Sequence, residues 1–522
     1  GEETSGAVVL SQDQTVADIA CAIQTALSNA DSNTVVVTGS KTKVSSSLSL
    51  NIPEGKTVVW GAVFKGGTAD YLMRLNGKGA FAVAEGGEIN ASSGGAIAGV
   101  SDYENYDIPS ITVSGGTVKA VEGCAIYIYS YVIESIAVTV SGGIVSNAGA
   151  EENPTIHLRA DAYRYDNINV TIKNEGKVIS TGIDGVAVQS TGNMRIQDAA
   201  EVSADGTAVM GRFITVEGGT IGANKTAVYA QKGVLVSGGT IRAVGFSIFS
   251  SGTSGTTTIQ GGSVESTGAD GYAIYAVGSV LVNGGTVSSE GDNGSAINSA
   301  GSGIVVVEGG TVSAKKTAIS LSMGGVLVRG GIVKGGNNVI NAMGGGSVMV
   351  DGGNLEATDT GGNAIYATRD VLIKGGTVSA NEENGTAIKA MGSRSYVTIE
   401  NGTVEAIGAG GNAISAQEGG GILVSGGTVK ARDTAINFSG RNRTVTVSGG
   451  TIRGDNTAIH ILGDRDSTVA VSGGTINGGS IAIHFEGFIN PAITVSGGTI
   501  ISGGNAIRLA VWMNPTIAIT GG

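Results

Sequence analysis

Proline is nearly absent from this 522-residue chain, with five copies, and aromatic residues make up only 4%. Glycine reaches 90 copies but lacks a three-residue period, so collagen-like and proline-rich linker structures are excluded. With so few rings, a core must be built from Val, Ile and Ala, which suits narrow stacked β-coils with little room for bulk. Cysteine is down to two, Cys21 and Cys124, whose spacing supports no disulfide, so both are expected as buried free thiols. No apolar run approaches the roughly 20 residues of a membrane-spanning helix, and no membrane insertion is expected of this segment. Basic clusters are missing too. With 31 Lys and Arg against 43 Asp and Glu, a net charge of −12 and a pI near 4.9, nucleic acid and anionic membrane surfaces are not expected partners. The first residues, Gly-Glu-Glu-Thr-Ser-Gly, resemble a mature or trimmed N-terminus, so a signal peptide upstream and an extracellular or bacterial cell-surface location are expected.

What the chain has instead is repetition. The cassette apolar-Thr-apolar-Ser-Gly-Gly-Thr-apolar recurs with its second glycine at Gly427, Gly450, Gly474, Gly498 and Gly522, spaced 23, 24, 24 and 24 residues. From Gly219 onward there are 13 such intervals over 303 residues, a mean of about 23, which is the length of one solenoid turn. A globular chain of this size would divide into several domains, whereas a solenoid grows by adding turns. A WD40 or kelch propeller needs a longer unit with periodic aromatics, and leucine-rich repeats need a Leu/Asn framework that is missing here.

Within one coil the spacing predicts three strands, at 422–424, 428–431 and 434–438. Period-2 alternation turns Ile422, Val424, Val429, Ile436 and Phe438 inward and Leu423, Lys430 and Asn437 outward. Gly-Gly makes the first corner and Asp, Asn or Gly the second. An Ala-Ile pair marks the third strand, as at Ala364, Ala387, Ala413, Ala435, Ala458 and Ala482; degenerate coils lie near Lys177 and Glu201. Ahead of the coils, residues 15–27 form a predicted helix with Val16, Ile19, Ile23 and Leu27 on one stripe and Thr15 and Asp18 at capping-box spacing. Such a helix would plug the open end of the solenoid. The first coil follows at 34–38, 44–52 and 57–60. The fold expected is therefore all-β: a right-handed, single-stranded parallel β-helix of about 18 coils, three strands per coil, with an N-terminal helical cap. Residues 1–33 are the capping segment and 34–522 the β-helix. The last strand stops at Gly521-Gly522, a corner, which implies a longer chain or a covering element.

The helix, the Thr34-Val35-Val36-Val37-Thr38 start and the Gly-Gly-Thr-Val coils together resemble the right-handed parallel β-helix of the pectin-lyase-like superfamily. More narrowly they resemble glycine-rich β-helices of secreted and surface-attached bacterial proteins, including adhesin-like and carbohydrate-binding members. The resemblance covers residues 34–522. It implies a fold and leaves activity open, because that superfamily holds lyases, glycosidases, esterases and inert rods.

Catalytic signatures are missing. Polygalacturonase-like Asn-Thr-Asp, Asp-Asp, Gly-His-Gly and Arg-Ile-Lys segments do not occur, and the acids are scattered over corners instead of converging in a pair. The nearest lyase-like feature is Asp464-Arg465-Asp466, read as a solvated turn. Corner acids that could bind calcium (Asp270, Glu290, Asp292, Asp359, Glu382, Glu383, Asp433 and Asp455) include no run of paired aspartates. His460 and His484, 24 apart, fall on neighbouring rungs between Asn437 and Arg508, with no third ligand fixed by spacing. Outward Thr446, Ala470, Thr494 and Ala518 are too irregular for an ice-binding array. A C-terminal patch of Phe485, Phe488, Trp512 and Met513 reads as a cover for the last coils.

The densest candidate is aromatic. Seven of 13 tyrosines lie between residues 103 and 165: Tyr103, Tyr106, Tyr127, Tyr129, Tyr131, Tyr163 and Tyr165. They are placed in long loops after the third strand, beside Arg159, where rings and charges would suit the apolar faces and hydroxyls of sugars. These residues with Arg159 form the expected ligand-binding set. The function expected is a non-enzymatic, adhesin-like surface rod that binds glycan or a host ligand, with no catalytic residue, metal or cofactor assigned. The alternative is a polysaccharide lyase or glycoside hydrolase with atypical catalytic residues.

Overall fold

The computed structural model describes residues 6–101, 107–131, 135–160, 167–393, 395–418 and 420–521. The chain is an all-β parallel solenoid of about 20 turns, with a single helix among the described residues, near the N-terminus. It divides into two compact units, Gly1–Gly252 with Gly262–Val264, and Thr253–Gly261 with Glu265–Gly522.

The first unit opens on a strand that the sequence pattern did not mark. Gly6–Leu10 precedes the helix and pairs in parallel with Thr34–Val44, Gly6 lying opposite Val35 and Leu10 opposite Gly39. The helix Val16–Leu27 starts at the Thr15 N-cap. The Asp18 amide donates to Thr15 Oγ1 at 3.2 Å, and Asp18 Oδ2 accepts from the Thr15 amide at 2.9 Å. Together they satisfy two donors that a helix start otherwise leaves open. Ile19, Ile23 and Leu27 are buried against Gly6–Leu10, Thr34–Val44 and Leu48–Asn51, consistent with a cap. The coils that follow bury the rings of Trp60, Phe64 and Phe81 fully.

The second unit shows the repeat in its regular form. Strands Gly421–Val424, Thr428–Ala431 and Thr434–Gly440 make one coil, and each pairs in parallel with its counterpart one turn on. Ile422 lies over Val445, Val429 over Ile452, Ile436 over Ile459 and Phe438 over Ile461. All these side chains are buried, while Leu423 is 36% exposed, so the expected alternation holds. It breaks at one place. Thr434 and Ala435 are both buried alongside Ile436 at the start of the third strand.

Two devices keep the rungs in register. On the outer face of the second strand, oppositely charged neighbours meet across the ladder: Lys177 with Glu201 at 2.6 Å in the first unit, Lys430 with Glu405 at 2.7 Å in the second. Such exposed pairs add little stability individually but disfavour a slipped register. At the third corner of the last coils, Asn442, Asp466, Asn490 and Asn514 all take left-handed φ between 48° and 54°. These residue types tolerate that conformation. Asn490 Nδ2 donates to Asp466 Oδ1 at 3.0 Å, so the corner residues are also tied to one another.

Candidate functional site

Parallel stacking turns each outward position of the third strand into a continuous ladder. In the first unit that ladder is rich in planar side chains. Tyr127 on Ile126–Ser130 lies opposite His157 on Ile156–Ala160, with ring centroids 5.5 Å apart and edge to face. On the other side of Tyr127 the ladder residue is Ala98, too small to cover a ring. Tyr71, from Tyr71–Asn76, fills the space and stacks on Tyr127 at 5.7 Å with planes only 14° apart. Tyr71 can lie there because its own rung partner is Gly95; a Cβ at Gly95 would overlap the Tyr71 ring.

Two residues along the same face, Tyr129 lies opposite Arg159, whose guanidinium carbon is 5.6 Å from the ring centre. Tyr131 packs edge-on against Tyr129 at 4.7 Å. Beside Tyr71 an open depression of about 620 Å³ is lined by Ser45, Asp70, Ser93, Glu122 and Asn153 among others. The surface thus offers ring faces next to hydroxyls, an amide and carboxylates. Burial, then the neighbouring Arg159, holds His157 below the ordinary imidazole range, so it presents a neutral ring near pH 7.

Four of the expected tyrosines, Tyr103, Tyr106, Tyr163 and Tyr165, lie outside the described residues. Of the other expected site residues, Tyr127, Tyr129, Tyr131 and Arg159 come together on one face. Their location differs from the sequence reading, however. Tyr127 and Tyr129 are not loop residues; they stand on the third strand itself, where the backbone ladder fixes their spacing. Sequence reasoning missed Tyr71, His157, Tyr229 and Phe249. The last two stack at 5.3 Å and 6° further along the same ladder. Reading every residue at that outward position, coil by coil, would have found them.

The thiols also differ from expectation. Both are free, but only Cys124 is buried, while Cys21 lies on the exposed side of the helix. Burial pushes the Cys124 thiol up to about 12, against a weaker opposing hydrogen bond with Tyr71. Tyr71 is pushed up in turn by its own burial and by Cys124 and Tyr127. Native protein at pH 8 is therefore expected to lose one thiol quickly to iodoacetamide, at Cys21, and the second only on denaturation. Peptide mapping after a timed quench reads this directly; fast labelling of Cys124 would contradict the burial.

In the second unit the ladder runs through Asn437, His460, His484 and Arg508. The two imidazoles stack at 4.9 Å and 15°. Glu486, two residues beyond His484 and so on the same face, places Oε2 at 3.2 Å from His460 Nε2. Burial first, then His460 and Arg508, lower the His484 pKa from its ordinary value, with Glu486 opposing. Three of the corner acids are engaged locally. Asp292 pairs with Lys315, Asp433 Oδ1 accepts from Asn456 Nδ2 at 3.0 Å, and Asp455 Oδ1 accepts from Arg453 at 3.1 Å. Of the expected C-terminal aromatic patch, Phe485 is a buried core residue on an inward position and Trp512 is 81% exposed, while the Phe488 side chain lies outside the described residues.

No family model matches this chain, and neither a curated protein nor a solved structure matches it.

Proposed function

We propose that this protein is a non-enzymatic β-helix scaffold of the pectin-lyase-like, adhesin-like kind, displayed outside a bacterial cell, that binds a glycan through the third-strand face of its first unit. The observation that carries this reading is the Tyr71–Tyr127–His157 stack beside a polar depression. Sugars present apolar C–H faces that pack on rings and hydroxyls that need donors and acceptors close by. Rings mounted on strands lose little freedom on binding, which favours recognition by a rigid surface. A host surface glycan or glycoprotein is the partner class.

A glycan array followed by affinity electrophoresis on the best binder tests the proposal. The double variant Tyr127→Ala, Tyr129→Ala is expected to weaken binding by about tenfold or more, the loss of one or two stacking contacts. Tyr396→Ala, an exposed ring of the second unit, is expected to change nothing. Unchanged binding by the double variant, with its circular dichroism intact, would remove the aromatic face as the site. Release of reducing ends or unsaturated sugars from a polysaccharide panel, abolished by a point substitution, would overturn the non-enzymatic part.

A further inference from the structure

We propose that His460, His484 and Glu486 form a binding site for a divalent transition-metal ion of the zinc class on the outer face of the second unit. Three features of the fold assemble it. Thr457–Arg465 and Ile481–Ile489 run parallel with His460 directly opposite His484. Strand alternation puts Glu486 on the same face as His484. Glu486 is opposite Leu462, the residue two beyond His460, so the carboxylate reaches back to the first imidazole.

The donor atoms of the three residues all lie within 4.8 Å of one another. Zinc bonds of about 2.0–2.2 Å place tetrahedral ligands roughly 3.4 Å apart. His460 Nε2 and Glu486 Oε2, at 3.2 Å, already have that separation. Binding would close the longer edges, which reach at most 4.8 Å, by turning the imidazoles out of their stack. His484 Nε2 is buried and has no hydrogen-bond partner. An orphaned imidazole nitrogen beside a carboxylate and a second imidazole is a ligand set with one position unused.

The chemistry selects the ion. Two imidazoles and one carboxylate suit zinc, nickel or copper, whereas calcium and magnesium take oxygen donors. Among the described residues no other group of three His, Cys, Asp or Glu donors converges in this way. Glu486 is half exposed and lines an open groove of about 560 Å³ with Leu462 and Trp512, which gives the ion a path from solvent and leaves room for water as a further ligand. Arg508 occupies the next rung after His484; it is exposed, so solvent weakens its repulsion of a bound cation without removing it. The ion would clip two successive turns together, a role compatible with a scaffold and independent of the glycan face.

The test uses untagged protein stripped with chelator and titrated calorimetrically with zinc chloride, with calcium chloride as the control. One zinc per chain and no calcium are expected. His460→Asn and His484→Asn should each weaken zinc binding by more than the roughly tenfold that loss of an outer-shell partner costs. Asparagine fits this ladder, because Asn437 already occupies the preceding rung. Glu486→Gln, which keeps the shape and removes the charge, should also weaken it. A second readout needs no variant. The chain has three histidines, and zinc should shift the ring resonances of His460 and His484 while leaving those of His157 in place. No zinc uptake by the parent protein, equal affinity in all three variants, or a shift confined to His157 would each overturn the proposal.

Discussion

Gly450→Ala is expected to destabilise the second unit by about 2–5 kcal/mol, the larger part from contact and the rest from backbone conformation. Gly450 sits at φ 73°, in the left-handed region that costs an L side chain about 1–2 kcal/mol. A Cβ there would also lie 2.6 Å from Gly426 O and 2.7 Å from Gly426 C. These are backbone atoms of the preceding rung, and they cannot yield without lengthening the ladder. Overpacking of this sort adds about 1–3 kcal/mol. Gly361 separates the two contributions within the same unit: its φ is 71°, but a Cβ there would meet nothing within 4 Å. Gly361→Ala is therefore expected to cost only the conformational part. Guanidinium denaturation followed by circular dichroism gives both values; equal midpoints for the two variants would show that the rungs can part without penalty.

That contrast explains why the repeat was so legible. Gly427, Gly450, Gly474 and Gly498 all take φ between 69° and 85°, and each lies against backbone of the rung before it, Asn401 and Gly402 for Gly427 and a Gly-Gly pair for the other three. A corner with such requirements tolerates one residue type, so it leaves a periodic trace in the sequence. Inward Val and Ile leave another, because a slip by one residue would expose the whole inner face. The candidate sites leave none. Glu486 matters only because position 462 on the neighbouring rung lies opposite it, and the spacing of His460 and His484 alone supplies two ligands. Tyr71 reaches Tyr127 only because Gly95 and Ala98 intervene without bulk, a fact of three rungs together. The strand Gly6–Leu10 escaped notice for a related reason: it lies before the helix, lacks the Gly-Gly corner, and owes its existence to pairing with Thr34–Val44. Rigid corners are written locally, whereas a surface composed across rungs must be read down the ladder.

The same logic gives a large effect at Trp60. This side chain is fully buried, with Phe64 edge-on at 5.7 Å and Phe81 at 6.1 Å, and it occupies the inward ladder between Val37 and Val83. Trp60→Ala removes the largest fully buried side chain among the described residues and is expected to cost about 3–5 kcal/mol. Trp60→Phe is expected to cost far less than the volume change suggests. The indole Nε1 is buried without a hydrogen-bond partner, a desolvation penalty of about 1–3 kcal/mol that phenylalanine removes. Because each turn contacts only its neighbours, the damage from alanine should stay local, with faster amide exchange in Thr34–Val44, Thr57–Trp60 and Ala80–Val83. Fluorescence verifies the substitution, since the chain has two tryptophans and the other, Trp512, is 81% exposed. Losing Trp60 should leave only the red-shifted emission of an indole in water. Urea midpoints that fall equally for phenylalanine and alanine would mean that the indole N–H contributes a bond, and the account of this layer as purely apolar packing would fail.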